Sequence, residues 1–297
     1  MEQTVTFYVD DEIASQPECW RQAAELAPAV RHQLPASGER VAFVGCGTSW
    51  FVAQVIAHWR ESRGLGESDA FTASEFPARA YDRVVALTRS GTTSEVVDLL
   101  AQLQGKIPTV VVVGDPQTPA VEAADLHIDL SFADERSVVQ TRFATSVLAL
   151  FAAAYGDSLT ELITDVEEAL AEPVADDLVA AEQITFLGRG WTIGVAHEAA
   201  LKFRETSSSW AESYPAMDYR HGPLAIAAPG RVVWMFGPAP DGLAEQVRAT
   251  GALFREDNRH PLAELVAAQR VAVARAVRLG LNPDEPRHLT RSVVLSD

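Results

Sequence analysis

The chain has 297 residues, enough for two domains of ordinary size, and its 47% hydrophobic and 22% charged residues are typical of a soluble globular protein. Its formal net charge of -17 argues against nucleic-acid binding, because a protein that neutralises phosphates needs a basic face. No apolar run is long enough to span a membrane, and the acidic N-terminus lacks the basic region of a secretory signal, so we expect a cytoplasmic protein without membrane partners.

The first predicted elements are a helix over residues 12–34 and a buried strand over 41–44. Gly-Cys-Gly-Thr-Ser follows at 45–49, and a helix is predicted over 51–59. A strand, a glycine-rich turn and a helix in this order are typical of a phosphate-binding βα unit. The dinucleotide fingerprint requires a third glycine where Trp50 stands, so we expect no Rossmann cofactor and predict no other cofactor.

A second βα unit concentrates hydroxyl side chains in one loop. A strand over 83–87 leads into Thr88-Arg-Ser-Gly-Thr-Thr93, and a helix is predicted over 94–104. Backbone N–H groups at a helix start favour an anion, and the hydroxyls add donors. Without the lysine of a P-loop, this loop suits a phosphate monoester better than a nucleoside triphosphate. The alternative is an ordinary helix cap with polar loop residues.

The alternation of strands and helices continues and predicts a doubly wound parallel sheet in the first half. The remaining predicted elements of this half are strands over 108–113 and 126–130, a short helix over 120–124 and an apolar helix over 139–155. Residues 184–192 then repeat the strand, Gly-x-Gly turn and helix start of residues 41–49, which indicates an internal duplication. In the second copy the strand over 232–236 precedes a loop almost without hydroxyls, so we expect one phosphate site per chain.

The predicted fold class is α/β, with two tandem doubly wound parallel-sheet domains of the flavodoxin-like type. We expect the boundary in the acidic, weakly periodic segment 156–175. Domain 1, residues 1–165, would include the N-terminal helix and bind phosphate. Domain 2, residues 166–297, would carry a catalytic helix and the C-terminal tail.

The catalytic candidates lie in the second half. Glu198, Lys202 and Glu205 recur at helical spacing, so two carboxylates and an amine share one helix face, and His221 follows in a His-Gly-Pro turn. A carboxylate, a cation and an imidazole in one segment suggest proton transfer. Alone, a Glu–Lys pair at this spacing is usually a surface pair, and Lys202 is a stronger candidate than Glu198. The cysteines and the other histidines show no ligand spacing, so we expect no metal site.

These motifs together resemble the double SIS (sugar isomerase) family, in particular the isomerase half of glucosamine-6-phosphate synthase and its deaminase and deglycase relatives. The resemblance covers nearly the whole chain and is specific to the family but not to one of its reactions. The motifs are Gly45-Cys-Gly-Thr-Ser49, Thr88-Arg-Ser-Gly-Thr-Thr93, Leu187-Gly-Arg-Gly190, Ala200-Leu-Lys-Phe-Arg-Glu205 and His221-Gly-Pro223.

The resemblance implies a role for each matching residue. Glu205 would be the base that moves a proton between C1 and C2 of the sugar, and Lys202 would stabilise the enediol charge or orient Glu205. His221 would assist ring opening, and in the relatives it comes from a neighbouring subunit, which implies a homodimer with shared active sites. The residues implied to bind the sugar phosphate are Gly47, Thr48, Ser49, Thr88, Arg89, Ser90, Gly91, Thr93 and Arg291.

Three departures from the synthase pattern matter. No glutaminase domain is found in the sequence, so we expect no glutamine-dependent synthesis unless a partner supplies ammonia. Arg291 stands where the synthase has a lysine that handles the open-chain sugar, and an arginine is a poor Schiff-base nucleophile. Arg89 replaces a glutamine in the phosphate loop, where it would either bind phosphate or form a local salt bridge.

The resemblance therefore implies a phosphosugar isomerase that acts on a hexose 6-phosphate or amino-sugar 6-phosphate, with or without release of ammonia or an amine. The alternative is a non-catalytic sensor that binds a sugar phosphate and a protein partner. Arg291 in place of the lysine is the main support for the sensor. The Glu-Lys-His set argues against it, because a sensor has no need of acid and base groups.

Overall fold

A computed structural model describes residues 6–295, which form an α/β structure with two parallel sheets of five and four strands. Its helices and strands alternate through most of the chain. In chain order they are α1 (Tyr8–Ala14), α2 (Gln16–Val30), β1 (Val41–Gly45), α3 (Thr48–Ser62), β2 (Ser68–Thr72), β3 (Arg83–Thr88), α4 (Ser94–Leu103), β4 (Thr109–Val113), α5 (Pro119–Ala123), β5 (Leu126–Asp129), α6 (Arg142–Ala154), α7 (Thr160–Ala171), α8 (Asp176–Ala180), β6 (Gln183–Gly188), α9 (Thr192–Ser207), β7 (Ala211–Pro215), β8 (Arg231–Met235), α10 (Leu243–Ala249), β9 (Leu253–Glu256) and α11 (Pro261–Arg278).

The chain divides into two compact units, and each unit is built from separate stretches of the sequence. The five-stranded unit comprises residues 18–135 and 142–159 and the tail residues 290–295. The four-stranded unit comprises residues 6–17, 136–141 and 160–289. The N-terminal helix α1 therefore belongs to the four-stranded unit, and the tail belongs to the five-stranded unit. The domain limits 1–165 and 166–297 assign both segments the other way and stay a prediction.

The five-stranded sheet is parallel throughout, in the order β2-β1-β3-β4-β5. This is the 2-1-3-4-5 order of a doubly wound sheet. Every residue of β1 and β4 is buried, as expected for apolar strands covered on both faces. Because β1 and β3 are parallel neighbours, the loops that follow them begin side by side.

The four-stranded sheet is also parallel, in the order β7-β6-β8-β9. Its inner strand β6 is buried along its whole length and leads directly into α9 through a Gly-Arg-Gly turn. The order of its strands matches the first four positions of the other sheet. The internal duplication stays a prediction.

One predicted helix is divided in the structure. The helix predicted over 12–34 is two helices, separated at Ser15. Pro17 has no N–H for the carbonyl of Ile13, which instead accepts a hydrogen bond from the Gln16 side chain at 3.2 Å. The segment 156–175 includes the point after Leu159 where the chain passes from one unit to the other, and the boundary stays a prediction. The same segment contains α7, whose buried Leu162, Val166 and Ala169 recur at helical spacing between acidic residues.

Some elements have no counterpart in the sequence-based prediction. The strands β2 and β7 lie at sheet edges, where only the first residue of each is buried. Half-exposed edge strands lack the apolar runs that identify inner strands, so their sequences give little signal. The strand β9 and the long helix α11 also lack such a counterpart. No described helix is both long enough and apolar enough to cross a membrane.

Candidate functional site

The loop after β1 is shaped by two glycines. Gly47 has a φ of 55° and immediately precedes α3, a backbone conformation that suits glycine. A Cβ on Gly45 would lie 2.6 Å from the Cβ of Ser49, so the first turn of α3 packs directly on the strand end. Thr48 and Ser49 are both buried there, at 3% and 4% exposure. The two predicted hydroxyl ligands thus lie at the carboxyl end of β1.

The loop after β3 is held by its own hydroxyl groups. The Thr88 hydroxyl accepts the N–H of Gly91 at 3.2 Å, and the Ser90 hydroxyl accepts the N–H of Thr92 at 3.3 Å. Each hydroxyl keeps its hydrogen for donation to another group. Thr93 is the N-cap residue of α4, and its side chain makes no capping hydrogen bond. The geometry therefore accounts for the loop shape and leaves hydroxyl donors for an anion.

Gly91 lies at a position in this loop where any larger residue would be unfavourable. Its φ is +62°, and a Cβ there would lie 2.0 Å from the Thr118 hydroxyl oxygen. Gly105 is a matched control in the same unit, because its φ is +70° and a Cβ there would meet nothing within 4 Å.

We expect Gly91→Ala to destabilise the five-stranded unit more than Gly105→Ala does. The unfavourable φ costs about 1–2 kcal/mol in both variants, and the steric clash with Thr118 adds about 1–3 kcal/mol only in Gly91→Ala. Urea unfolding of both variants measures the difference. Equal losses in the two variants would contradict the close packing of this loop.

Arg89 is turned away from the loop surface. Its guanidinium is 1% exposed, lies 3.6 Å from the fully buried carboxylate of Glu135, and donates to the carbonyl of Arg291 at 3.0 Å. Glu135 also accepts the N–H of Arg142 at 2.8 Å. Of the two roles considered for Arg89, the geometry corresponds to the local salt bridge, and phosphate binding by this side chain stays a prediction.

Arg291 is held by Asp134. Its Nη2 lies 2.5 Å and 2.8 Å from the two carboxylate oxygens of Asp134, and its Nη1 donates to the Glu135 carbonyl. The guanidinium that stands in place of the synthase lysine is therefore engaged in an ion pair. Its role in substrate binding stays a prediction.

The rest of the tail lies along the start of α4. The Thr92 hydroxyl donates to the Ser292 hydroxyl at 2.9 Å, and the N–H of Ser94 donates to the Val293 carbonyl at 3.1 Å. The N–H of Leu295 donates back to the Ser94 hydroxyl at 2.9 Å. One of the helix N–H groups that was expected to face an anion thus bonds to the tail.

The catalytic candidates of α9 form a buried ion triad. Lys202 is 1% exposed, and its ammonium lies 2.5 Å from Glu205 Oε2 and 3.4 Å from Glu198 Oε1. Glu198 is 3% exposed in its side chain, whereas Glu205 is 20% exposed. The second oxygen of Glu205, Oε1, has no hydrogen-bond partner within residues 6–295. The triad thus presents one partly accessible carboxylate, positioned from behind by a buried cation.

His221 lies in a short 3-10 turn, Asp218–His221, and is exposed. Its imidazole makes no hydrogen bond or ion pair with any residue that the structure describes. The adjacent Arg220 fixes the turn by donating to Gln246 at 2.7 Å and to the Asp241 carbonyl at 2.6 Å. His221 is therefore displayed on a fixed turn.

Several residues of these arrangements could not be selected from the sequence. Glu198 ranked below Lys202, yet it is the second carboxylate on the buried ammonium. Asp134 and Glu135 are the partners of the two arginines, and only their three-dimensional position identifies them. His197, next to Glu198, bonds to Ser213 at 2.9 Å, and burial together with the charge of Arg204 lowers its pKa, which favours the neutral imidazole.

The chain is similar to known proteins in sequence. Residues 36–155 match the family model of the SIS domain. The chain is 28% identical over 333 residues to the glutamine–fructose-6-phosphate aminotransferase [isomerizing] of Pseudomonas aeruginosa, an alignment that covers 92% of this chain and 53% of that protein. The enzyme of the same name from Escherichia coli O157:H7 is also 28% identical, over 92% of this chain and 54% of its own length. The chain thus spans about half the length of these curated relatives.

Solved structures share the fold. Glucosamine-6-phosphate deaminase from Thermotoga maritima has a TM-score of 0.81 at 24% identity, covering 97% of this chain and 100% of that one. Tagatose-6-phosphate ketose/aldose isomerase from Escherichia coli has a TM-score of 0.79 at 17% identity, covering 98% of this chain and 96% of that one. A second SIS domain in residues 166–297 stays a prediction. Residues 36–155 thus match the SIS domain, and the chain as a whole is similar to the isomerase half of glutamine–fructose-6-phosphate aminotransferases.

Proposed function

We propose that this chain is a phosphosugar isomerase that moves a proton between C1 and C2 of a hexose 6-phosphate or an amino-sugar 6-phosphate, with or without release of ammonia or an amine. The observation that carries the proposal is the ion triad of α9, in which the buried Lys202 holds one oxygen of the partly exposed Glu205. The names of the similar proteins, which include an aminotransferase, a deaminase and a ketose/aldose isomerase, support this class of substrate.

In this proposal Glu205 is the base. Lys202 bonds to Oε2 at 2.5 Å and leaves Oε1 to take the proton from one sugar carbon and return it to its neighbour. Lys202 itself is 1% exposed and paired with two carboxylates, which favours action through charge and positioning over a covalent bond to the sugar. The enediolate that forms between the two transfers would be stabilised by this positive charge.

The phosphate group would be bound by the loops after β1 and β3. The hydroxyl groups of Thr48, Ser49, Thr88, Ser90 and Thr93 supply the donors, and Gly47 and Gly91 give the backbone its shape. A phosphate anchored by neutral donors suits a small monoester.

The direct test is incubation of the protein with glucosamine 6-phosphate and with fructose 6-phosphate. We expect interconversion of aldose and ketose or release of ammonia. Coupled assays for the sugar and for ammonia measure the two outcomes. If the protein binds these sugars, seen as a rise in Tm, but converts neither, the isomerase proposal is wrong for them and the sensor remains. The ion pair between Arg291 and Asp134 is the observation that favours the sensor, because it engages the group that replaces the synthase lysine.

We further propose that the active protein is a homodimer in which His221 serves the site of the neighbouring copy. Its exposed imidazole, which has no partner within residues 6–295, supports this arrangement. Heterodimers formed from His221→Ala and Glu205→Gln subunits should then recover part of the activity, because one of their two sites has both groups intact. Each variant alone sets the baseline, and no recovery above it would place both groups in one chain.

A further inference from the structure

A cavity of about 480 Å³ opens in the four-stranded unit, at the carboxyl ends of β6, β8 and β9. The chain leaves β6 through α9 toward β7 on one side and leaves β8 through α10 toward β9 on the other side. Such a reversal between neighbouring parallel strands creates a crevice where doubly wound sheets bind ligands. The volume lies within the range of about 300–1,000 Å³ that is usual for small-molecule sites.

The walls of this cavity are fixed by polar contacts. The Thr192 hydroxyl accepts the N–H of Arg189 at 2.8 Å and lies 3.0 Å from the Phe236 carbonyl, which joins the loops after β6 and β8. In the loop after β9, the N–H of His260 donates to Asp165 at 2.6 Å, and His260 Nδ1 accepts the N–H of Leu262 at 3.2 Å. The imidazole is therefore oriented before any ligand arrives.

Carboxylates along the rim of the cavity have partners within the protein. Arg259 lies 2.9 Å from Asp257, 2.7 Å from Glu264 and 3.0 Å from Glu172. Burial opposes ionisation of Asp257, but hydrogen bonds from Arg259 outweigh it and lower the pKa of this carboxyl. Glu256, at the edge, accepts the N–H of Ala239 at 2.7 Å. The rim carboxylates are thus all occupied by donors.

Arg189 differs from these groups, because its guanidinium has no hydrogen-bond or ion-pair partner within residues 6–295. The exposed amide of Asn258 on the opposite loop likewise has none there. The Trp191 indole lines the same cavity and packs against the His260 ring, with centroids 5.6 Å apart and planes inclined by 32°. A cation, an amide and an aromatic face therefore line one cavity.

We propose that this cavity binds a mononucleotide, at a site separate from the hydroxyl-rich loops of the five-stranded unit. The base stacks on Trp191, the Asn258 amide offers both a donor and an acceptor to the base edge, and Arg189 holds the phosphate. The site contrasts with the loop after β3, which has many hydroxyl groups and no cation free to bind an anion. The proposal does not depend on the isomerase reaction.

Binding to the intact chain is measured by calorimetry with three probes: AMP, adenosine and inorganic phosphate. We expect AMP to bind more tightly than either fragment. Arg189→Met should weaken AMP binding by about tenfold or more, as expected for loss of a charge-assisted pair, and should leave adenosine binding unchanged. Trp191→Leu should weaken both AMP and adenosine. Far-UV circular dichroism and urea unfolding verify that each variant is folded.

Ser90→Ala is the matched control in the other unit, and it should leave AMP binding unchanged. Loss of AMP binding in Ser90→Ala but not in Arg189→Met would place the nucleotide in the phosphate loop and overturn the proposal. Absence of AMP binding to the unaltered protein, or AMP affinity that is the same in Arg189→Met, would also overturn it. Turnover of sugar phosphates in Arg189→Met without AMP should equal that of the unaltered protein, so the outcome is independent of the isomerase proposal.

Discussion

Glu205→Gln should lower kcat for sugar-phosphate isomerisation by about 10²–10⁴-fold, the usual contribution of a positioned general base. The amide keeps the size of the side chain and can still contact the Lys202 ammonium through its oxygen, but it cannot accept the proton from carbon. The apparent affinity for the sugar phosphate should change little, because the phosphate contacts are made by other residues. Steady-state kinetics together with Tm shifts on ligand addition separate the two effects.

Glu182→Gln is the matched control for this substitution. Glu182 is exposed and immediately precedes β6, at the end of the strand opposite to the one that leads into α9. The same chemical change there should leave both kcat and stability unaltered. A Glu205→Gln enzyme with normal kcat, or one that loses sugar-phosphate affinity while keeping kcat, would remove Glu205 from the role of base.

Lys202→Met should lower the free energy of unfolding by about 3–5 kcal/mol, the range seen when one partner of a buried ion pair is removed. Methionine fills a similar volume, so the loss comes from removal of the cation that pairs with the carboxylate of Glu198, whose side chain is 3% exposed. The midpoint of urea unfolding measures the effect.

The double variant Lys202→Met with Glu198→Gln tests this cause. Removal of the buried carboxylate charge should recover a substantial part of the lost stability, because a neutral pair carries a smaller desolvation penalty. If Lys202→Met is as stable as the unaltered protein, or if the second substitution only adds to the loss, the buried charges are not what couples these residues.

The sequence predicts the inner strands and the start of each βα unit well. The strands β1 and β4 are almost entirely apolar because each is buried on both faces, and glycine turns follow β1 and β6. The edge strands β2 and β7 are only partly covered, so their composition is set by solvent and by neighbours far away in the chain. The three buried apolar positions of helix α7 stand among acidic residues, so the sequence indicates this helix only weakly.

The candidate site is likewise predicted only in part from the sequence. Helical spacing places Glu198, Lys202 and Glu205 on one face, and the structure brings their charged groups within 3.4 Å of the shared ammonium. Spacing could not decide between a surface pair and a buried triad, because burial depends on the elements packed over α9.

The pairing of Arg89 and Arg291 is not indicated by the sequence. Arg89 and Arg291 are 202 positions apart, yet one donates to the carbonyl of the other, and their carboxylate partners Glu135 and Asp134 are adjacent in the chain. No local pattern links these four residues. Their pairing explains how the tail is attached to the five-stranded unit. The replacement of the synthase lysine by Arg291 does not by itself indicate this attachment.

The most direct test of the central claim follows the transferred proton itself. Hexose and amino-sugar 6-phosphates are incubated in D₂O with the protein, and NMR or mass spectrometry measures deuterium at C1 and C2. With Glu205 as the base, the unaltered protein should incorporate solvent deuterium into its substrate, and Glu205→Gln should reduce the rate of incorporation in parallel with kcat. Incorporation at the same rate in Glu205→Gln as in the unaltered protein would contradict proton transfer by this carboxylate.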